Sequence, residues 1–513
     1  MTTNNSPDQP SQQSKRLRNS SEYTILLGSQ HALCAEILSY IVYNTRDLAQ
    51  LRLISHEWNA KVIPYVLPSC GFISHCYEDN AFIDRLIEIQ YDYDDEEDDN
   101  VINDLITSTQ NQLLVPEGLA IADGFIPESL HAALMQQIDA LADGTDADYH
   151  PHSNGIVRDL VHPALYAYVK NVSANLPCDP IPPAGIGAMA SVEDEDASST
   201  PKDYWGRKYE SSSKYQWLPT YFDIGADGSC TIKDYINNLV PRAQYEPLYS
   251  SLAALFSHAL PLIESVYSYG RVVRPLIRDN DRDDDDEEEE WLDDLDLDPC
   301  QLNPFKEKYH SLRGQKLQVI TKIVDYELNP GQSYEGVWHV EGMSHEEIVA
   351  TAIYFIHRDD DIAGGDLFFQ RAFHMREAVN MQEAFGQVYG LVYDVVAERG
   401  MRPLGKVETL PKRFVVFPNS HVHKVSKMEN KNAASPLTDT NDTNSVQKRR
   451  IVVFFLVNPE KRIVSTREVP PQQAEAGGSM SREDALKHRL ELMKERKYHK
   501  QDWNVRKIEL CEH

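Results

Sequence analysis

Cysteines, long apolar runs and positive charge are all scarce in this 513-residue chain. The seven cysteines are scattered and include no Cys-X-X-Cys pair, which argues against a disulfide framework and fits a reducing compartment. No apolar run approaches the roughly 20 residues of a membrane span, and the first residues are polar rather than signal-like. We therefore expect an intracellular protein, cytoplasmic, nuclear or both, with no membrane partner.

Basic side chains are outnumbered, since Lys and Arg total 50 against 80 Asp and Glu, giving a formal net charge of −30. Nucleic acids and anionic membranes bind proteins through local positive charge, so this balance argues against both partners. Hydrophobic residues make up 41% of the chain, which is enough for a sizeable folded core. The composition indicates a large acidic globular protein and no nucleic-acid partner.

Several catalytic signatures are also missing. His345-Glu346-Glu347 is not a zincin motif, because Val349 stands where the second histidine would be required. We find no P-loop, no Gly-X-Gly-X-X-Gly after a strand, and no serine in a Gly-X-Ser-X-Gly turn. These absences argue against a zincin protease, a P-loop or dinucleotide-binding enzyme, and an α/β-hydrolase.

Changes in composition divide the chain. The predicted order is a disordered N-terminus (1–24), a helical module (25–70), a linker with an acidic run (71–114), and a long region at 115–510. Within that long region we expect a β-rich core at about 315–460, a solvated acidic insert at 279–298 and a C-terminal helix at about 481–497.

The helical module has apolar residues at helical spacing and resembles an F-box, a segment that docks on a Skp1-like adaptor of a cullin-RING ubiquitin ligase. Its usual Leu-Pro opening is replaced by Ala32-Leu33, and an ordinary helical hairpin remains the alternative. The residues expected to bind the adaptor are Leu33, Ile37, Leu38, Ile41, Leu48, Leu51 and Trp58.

A possible metal site lies in the β-rich core. His339 and Glu341 are two residues apart, so a strand would place both side chains on one face, and His423 follows a short apolar strand at 413–418. Two histidines and a carboxylate that bind one face of an ion leave the other face open, as non-haem Fe(II) oxygenases require. A solvated strand can carry His-X-Glu by chance, and a zinc hydrolase can use the same ligands.

A cation next to this site is also predicted. Arg449, with Arg450 as the neighbouring alternative, opens the apolar strand 451–457. A guanidinium fixed in an apolar sheet is suited to the distal carboxylate of 2-oxoglutarate, because it forms two parallel hydrogen bonds to a carboxylate. The sequence therefore predicts Fe(II) and 2-oxoglutarate as cofactors.

Several longer strings resemble the DUF4246 family over roughly residues 115–500. The resemblance implies an α+β fold with a double-stranded β-helix (jelly-roll, cupin-like) core and flanking helices, here preceded by the small α-helical F-box-like module. It also implies His339, Glu341 and His423 as metal ligands and Arg449 as the oxoacid arginine. The strings are Trp205–Glu210, Ser213–Thr220, Asp234–Leu239, Trp338–Met343, Phe417–Asn419 and Val453–Val457.

Two departures accompany the resemblance. The carboxylate ligand is Glu341 rather than the commoner Asp, and an insert at 430–447 separates His423 from Arg449. The function we predict is an Fe(II)/2-oxoglutarate-dependent oxygenase of hydroxylase type and unknown substrate, recruited to a ubiquitin ligase through its F-box. The alternative is a non-catalytic F-box substrate receptor of an SCF-type ubiquitin ligase that uses its β-barrel as a binding domain.

Overall fold

The structure is a computed structural model and describes residues 105–107, 118–176, 214–272, 310–372, 401–432 and 446–503. The predicted disordered N-terminus, the F-box-like module and the acidic insert lie outside these residues and stay predictions. Among the described helices, none is long and apolar enough to cross a membrane.

Short and long antiparallel strands alternate with three long helices in the described part of the chain. The helices are α1 (Glu128–Gly144), α2 (Glu246–Val272) and α3 (Arg482–Trp503). The strands are β1 (Ala120–Asp123), β2 (Val157–Val161), β3 (Tyr168–Val169), β4 (Tyr215–Gln216), β5 (Thr220–Ile224), β6 (Cys230–Ile232), β7 (Lys316–Leu328), β8 (Ser333–Tyr334), β9 (Ile348–Arg358), β10 (Ile362–Gly364), β11 (Leu367–Ala372), β12 (Met401–Val407), β13 (Arg413–Pro418), β14 (Val422–Val425), β15 (Met428–Asn430) and β16 (Gln447–Val457).

Eight strands form one large sheet in the order β1-β13-β9-β16-β7-β5-β6, with β2 paired on β7. Its central strands β7, β9 and β16 are buried along most of their length and carry apolar side chains on both faces. A strand with apolar side chains on both faces requires cover on both faces, because successive side chains point to opposite sides. The large sheet is accordingly the middle of three layers.

One face of the large sheet packs on helices α1 and α2. Val452, Phe454 and Leu456 of β16 share a core with apolar side chains that recur every three or four residues along α2. The Phe454 ring lies edge-on to Phe256 of α2, with ring centroids 5.4 Å apart. Helices α1 and α2 therefore supply the apolar side chains of this helix-facing core.

The opposite face packs against two small sheets, β12-β11-β14 and β10-β15-β8, and against α3. Ile451, Val453 and Phe455 of β16 point into this core, together with Phe369 of β11 and Met428 of β15. We call this space the inter-sheet layer. The structure confirms a mixed helix and strand protein built from antiparallel sheets.

β7 begins near the start of the β-rich core expected at about 315–460, and α3 begins after Ser481, where a C-terminal helix is expected at about 481–497. The Ser481 hydroxyl accepts a hydrogen bond from the Asp484 N–H at 3.1 Å, an N-terminal cap. The large sheet, however, extends beyond the predicted core at 315–460, because β1, β2, β5 and β6 join it from residues 120–232. Strands of three to five residues carry too little periodicity to be recognised from sequence.

A buried ion pair joins the large sheet to α1. The Arg450 guanidinium donates to both carboxylate oxygens of Asp325 on β7, at 2.7 and 2.8 Å, and to Asp139 of α1 at 2.6 Å. Arg450 is 1% exposed and Asp325 is fully buried. A carboxylate in that position requires its partner, since an unpaired buried charge is far more costly than an apolar side chain.

We predict that Arg450→Met lowers the free energy of unfolding by about 3 kcal/mol, because it leaves Asp325 buried without its bidentate partner. Lys448 Nζ, 3.5 Å from Asp325, compensates only in part. Urea denaturation measures the loss, and the double variant Arg450→Met, Asp325→Leu should recover most of it. A single variant within about 1 kcal/mol of the wild type would contradict this role.

Candidate metal centre

A pair of backbone hydrogen bonds brings His339 next to His423. His339, in the loop between β8 and β9, donates its N–H to the His423 carbonyl at 3.0 Å. The His423 N–H donates back to the His339 carbonyl at 2.9 Å, which makes an isolated antiparallel bridge to β14. Residues opposite each other in such a bridge project their side chains to the same side. The two imidazole rings consequently lie 4.4 Å apart between centroids.

Glu341 completes the cluster. Its Oε1 lies 3.5 Å from His339 Nε2 and 3.6 Å from His423 Nε2, and one candidate ligand atom from each residue lies within 4.8 Å of the others. Ligand atoms bound at about 2.1 Å to one divalent ion are about 3–4 Å apart, so this spacing is close to that of a loaded site. The structure brings together all three residues that the sequence proposed as ligands.

The protonation of the two imidazoles favours a metal. His339 Nδ1 lies 2.7 Å from the Val337 carbonyl, and His423 Nδ1 lies 3.3 Å from the His421 carbonyl. A carbonyl oxygen only accepts hydrogen bonds, so each Nδ1 carries a proton and Nε2 is the ring nitrogen available to a metal. Both Nε2 atoms face the Glu341 carboxylate, so a divalent cation bound between the three side chains would replace any proton on Nε2.

Burial and charge keep the cluster in this state. Burial, together with the neighbouring His339, lowers the pKa of His423 to about 4, so His423 is neutral at physiological pH. Burial alone would raise the pKa of Glu341, but the adjacent His339 and His423 side chains outweigh it and hold that pKa well below its ordinary value. Metal ligands have to be deprotonated, and these two are.

Asn419 fixes the backbone of Glu341. Its side-chain amide donates to the Glu341 carbonyl at 2.9 Å and to the Ile348 carbonyl at 3.1 Å. Its side-chain oxygen accepts the Glu341 N–H at 3.0 Å. Asn419 thereby holds Glu341 from both sides of the peptide chain. The sequence analysis did not identify this role, and only the Phe417-Pro418-Asn419 string of the family resemblance pointed to the residue.

Glu346 fixes the loop that follows Glu341. This fully buried carboxylate accepts the Met343 N–H at 2.8 Å and the Trp217 N–H at 2.6 Å. It also binds Arg496 of α3 at 2.5 Å, so the C-terminal helix is tied to the metal loop. This role of Glu346 could not be predicted from the sequence, because Trp217 and Arg496 lie 129 and 150 positions away along the chain.

Arg449 points into the inter-sheet layer. It is 1% exposed, its Nη1 donates to the Gly365 carbonyl at 2.8 Å, and its guanidinium stacks on the Phe355 and Tyr326 rings at 5.0 and 5.5 Å. Its buried Nε has no hydrogen-bond partner, and among the described residues no carboxylate lies within ion-pair distance. Burial lowers the pKa of Arg449 to about 10. The guanidinium is a charged group that lacks an anion.

The local backbone makes room for that guanidinium. Gly365 has a φ of +80°, and a Cβ there would lie 2.7 Å from Arg449 Nη1. Only glycine satisfies both requirements. Gly365 therefore leaves the space that the Arg449 guanidinium occupies.

The two candidate arginines point to opposite faces of the sheet. Arg450 is bound by Asp325 and Asp139 on the helix-facing side, whereas Arg449 shares the inter-sheet layer with Tyr326. Burial raises the pKa of Tyr326, Arg449 lowers it and Glu341 raises it, so both charged groups lie within electrostatic range of this hydroxyl. Arg449 is therefore the candidate for an oxoacid. The F-box residues lie outside the described chain.

His150, Asp159 and His162 form a second cluster of comparable size, with ligand atoms within 4.8 Å. Here the Ala164 N–H donates to His162 Nδ1 at 3.2 Å, and burial lowers the pKa of His162 well below its ordinary value. The neutral ring must then carry its proton on Nε2, which removes the lone pair that a metal needs. His150 Nδ1 contacts Asp159 Oδ2 at 2.9 Å. In this cluster Asp159 is therefore a buried carboxylate that is hydrogen-bonded to His150.

Fold and site define a protein of antiparallel sheets that presents a two-histidine, one-glutamate cluster suited to a divalent metal. The chain belongs to the DUF4246 family, described as proteins of unknown function, whose family model matches residues 87–478. No curated protein matches the chain.

Three solved structures are similar to parts of the chain. IDO from Bacillus thuringiensis is 11% identical, covers 30% of this chain and 50% of its own, and has a TM-score of 0.18. An oxidoreductase of the 2OG-Fe(II) oxygenase family from Burkholderia pseudomallei is 11% identical, covers 30% and 48%, and has a TM-score of 0.16. A prolyl-4-hydroxylase from Pseudomonas putida is 10% identical, covers 66% and 92%, and has a TM-score of 0.25. The chain spans about half the length of the first two.

We predict that His423→Gln abolishes tight binding of Co(II) or Fe(II), because it removes one of three ligands. His150→Gln, in the second cluster, should leave the binding constant within about twofold of the wild type. Anaerobic titration calorimetry measures both. Loss of binding in the His150 variant, with binding kept in the His423 variant, would place the metal in the second cluster and contradict this prediction.

Asn419→Ala should weaken metal binding by about 10–100-fold, since the Glu341 backbone loses its support. The matched control is Asn430→Ala, because Asn430 is a buried asparagine of β15 whose amide donates to the Leu328 carbonyl at 3.0 Å, away from the cluster. Both variants should lose about 1–3 kcal/mol of stability in urea, but only the first should lose affinity. Equal affinities would show that Asn419 is merely structural.

Proposed function

We propose that this protein is an Fe(II)/2-oxoglutarate-dependent oxygenase of hydroxylase type. The observation that carries the proposal is the convergence of His339 Nε2, His423 Nε2 and the Glu341 carboxylate, with the anion-free Arg449 on the same layer. We further propose that the large sheet and the small sheets facing it form a double-stranded β-helix. Residues of the facing strands would then hold the metal at the open end of that barrel.

Arg449 favours this function over a zinc hydrolase with the same ligands. A buried guanidinium without an anion destabilises the folded protein, so its presence calls for a ligand that brings negative charge. Hydrolysis at zinc needs no such group, whereas a dicarboxylate that binds the metal by one end needs a cation for the other. The free Nε and the stacked faces of Arg449 suit a carboxylate.

The metal ligands and Arg449 would have separate roles in the reaction. When bound, Fe(II) with 2-oxoglutarate and dioxygen supplies the oxidation of a substrate C–H to C–OH, with succinate and carbon dioxide as the other products. His339, Glu341 and His423 hold the metal and leave its remaining positions open. Arg449 orients the oxoacid by its far carboxylate.

The protein also keeps water from one side of the cluster. Phe417 packs edge-on against the His423 ring, with ring centroids 4.7 Å apart. The ring centroid of Phe369 lies 6.1 Å from that of His423. His423 is 3% exposed, whereas His339 is 29% exposed. Substrate would thus approach past His339, and the apolar wall would protect the opposite side from unproductive oxidation.

Recruitment to a ubiquitin ligase through a Skp1-like adaptor stays a separate proposal. It depends on the F-box-like helices at 25–70, which lie outside the described residues. The oxygenase proposal does not depend on it.

The anaerobic wild-type protein with Fe(II) and 2-oxoglutarate should give the weak visible charge-transfer band of the chelate, and His339→Ala should abolish it.

Arg449→Met should weaken 2-oxoglutarate binding by about 100-fold, because a charge-assisted contact contributes about 3 kcal/mol. It should leave metal affinity unchanged and, without oxoacid, should not lower stability in urea.

The control ligand is 2-oxobutyrate, which chelates the metal but lacks the far carboxylate. It should bind the wild type and Arg449→Met with equal affinity. A wild type that gives no band with either oxoacid, or an Arg449 variant that binds 2-oxoglutarate normally, would contradict the proposed function.

A further inference from the structure

A second positive side chain, Lys322, points into the inter-sheet layer. Lys322 lies on β7 opposite Val453 of β16 and shares its face with Ile320 and Val324. Those two neighbours are each 1% exposed, whereas Lys322 is only half-buried. Solvent therefore reaches the layer at Lys322, in the middle of an otherwise packed strand.

The Lys322 ammonium has no hydrogen bond and no ion pair among the described residues, although its backbone pairs in the sheet. The nearby carboxylates are already engaged, since Asp159 binds His150 at 2.9 Å and lies 3.7 Å from Arg489. Glu341 faces the two metal-site imidazoles. A half-buried ammonium without a partner loses part of its hydration, and no hydrogen bond or ion pair compensates for that loss.

The position of Lys322 relates it to the metal cluster. Asp159 of β2 pairs with Val324, and His162 follows that strand, so both flank Lys322 on the same sheet face. The Lys322 charge also acts on Glu341, which places its ammonium within electrostatic range of the metal ligand. Arg449 pairs with Tyr326, four residues along β7 and about 13 Å away.

We propose that Lys322 binds a carboxylate of the substrate to be oxidised, while Arg449 binds the far carboxylate of 2-oxoglutarate. This inference rests on the proposed function. A five-carbon oxoacid that chelates the metal at one end reaches a single cation with the other, so one of the two cations remains for the substrate. The molecule is strongly acidic, at −30, and an anionic substrate therefore needs a local positive anchor to bind.

Simple neutralisation of Asp159 and Glu341 explains Lys322 less well. Neither carboxylate lies within the 4.0 Å ion-pair distance of its ammonium in the described structure. A metal ion bound to Glu341 would cancel the attraction from that side and repel the ammonium. The loaded site would then leave Lys322 free to bind an incoming anion.

The experiment compares hexanoate with its neutral analogue hexanamide. The full-length protein is loaded with Zn(II) and saturating 2-oxoglutarate, and the two dissociation constants are measured by ligand-observed NMR. Hexanoate should bind the wild type at least about fivefold more tightly, the effect of about 1 kcal/mol for a partly exposed ion pair. The ratio should fall to about one in Lys322→Met and should be retained in Lys322→Arg.

The charge-transfer band separates this inference from the proposed function. Lys322→Met should keep the band and its 2-oxoglutarate affinity. A variant that loses 2-oxoglutarate affinity would mean that Lys322 anchors the cosubstrate, which overturns the inference. A wild-type ratio near one also overturns it, needs no variant to fold, and leaves the proposed function standing if the band is present. A wild type without the band overturns both.

Discussion

The exchange of two backbone hydrogen bonds between His339 and His423 is the contact on which the candidate site depends. It joins a loop residue to the edge of β14 and sets two imidazoles side by side. A bridge of one residue pair is weak by itself, because a short strand pairing pays backbone entropy for few bonds. The surrounding loop is therefore held elsewhere, by Asn419 at Glu341 and by Glu346 at the turn that follows. The ligand geometry is the product of these three supports acting together.

The large sheet carries two adjacent buried arginines whose side chains lie on opposite faces and have different surroundings. Arg449 and Arg450 are adjacent on β16 and both are 1% exposed, yet they face different layers. On the helix-facing side, Asp325 and Asp139 neutralise Arg450, and the pair stabilises the packing of α1. On the other side, Arg449 contacts two aromatic rings and one carbonyl, and no carboxylate of the described residues lies within ion-pair distance of it. An apolar residue would be less costly to bury at that position, and this is why Arg449 supports the proposed oxoacid site.

The three candidate ligands could be proposed from local sequence signals, whereas their surroundings could not. His-X-Glu spacing and a histidine just after an apolar strand are local signals, and the strand pairing did bring His423 to the other two. The sequence could not show which arginine faces the site, because β16 has apolar residues at both odd and even positions. The orientation follows from the pairing of Arg450 with Asp325, which lies on another strand. Arg496, whose contact with Glu346 spans 150 residues, could not be found from periodicity for the same reason. Short strands such as β1 and β6 form only because longer neighbours offer them an edge.

Composition alone would not distinguish the two clusters of two histidines and one acid. In both, the candidate ligand atoms lie within 4.8 Å, and in both a histidine is almost completely buried. The difference is the direction of one backbone hydrogen bond. His423 Nδ1 faces a carbonyl, which leaves a lone pair on Nε2 for a metal, whereas His162 Nδ1 accepts an N–H and leaves a proton on Nε2. Two histidines and one acidic residue thus form a candidate cation site in one place and a hydrogen-bonded, buried carboxylate in the other, because the backbone hydrogen bond to Nδ1 determines the tautomer of the buried histidine.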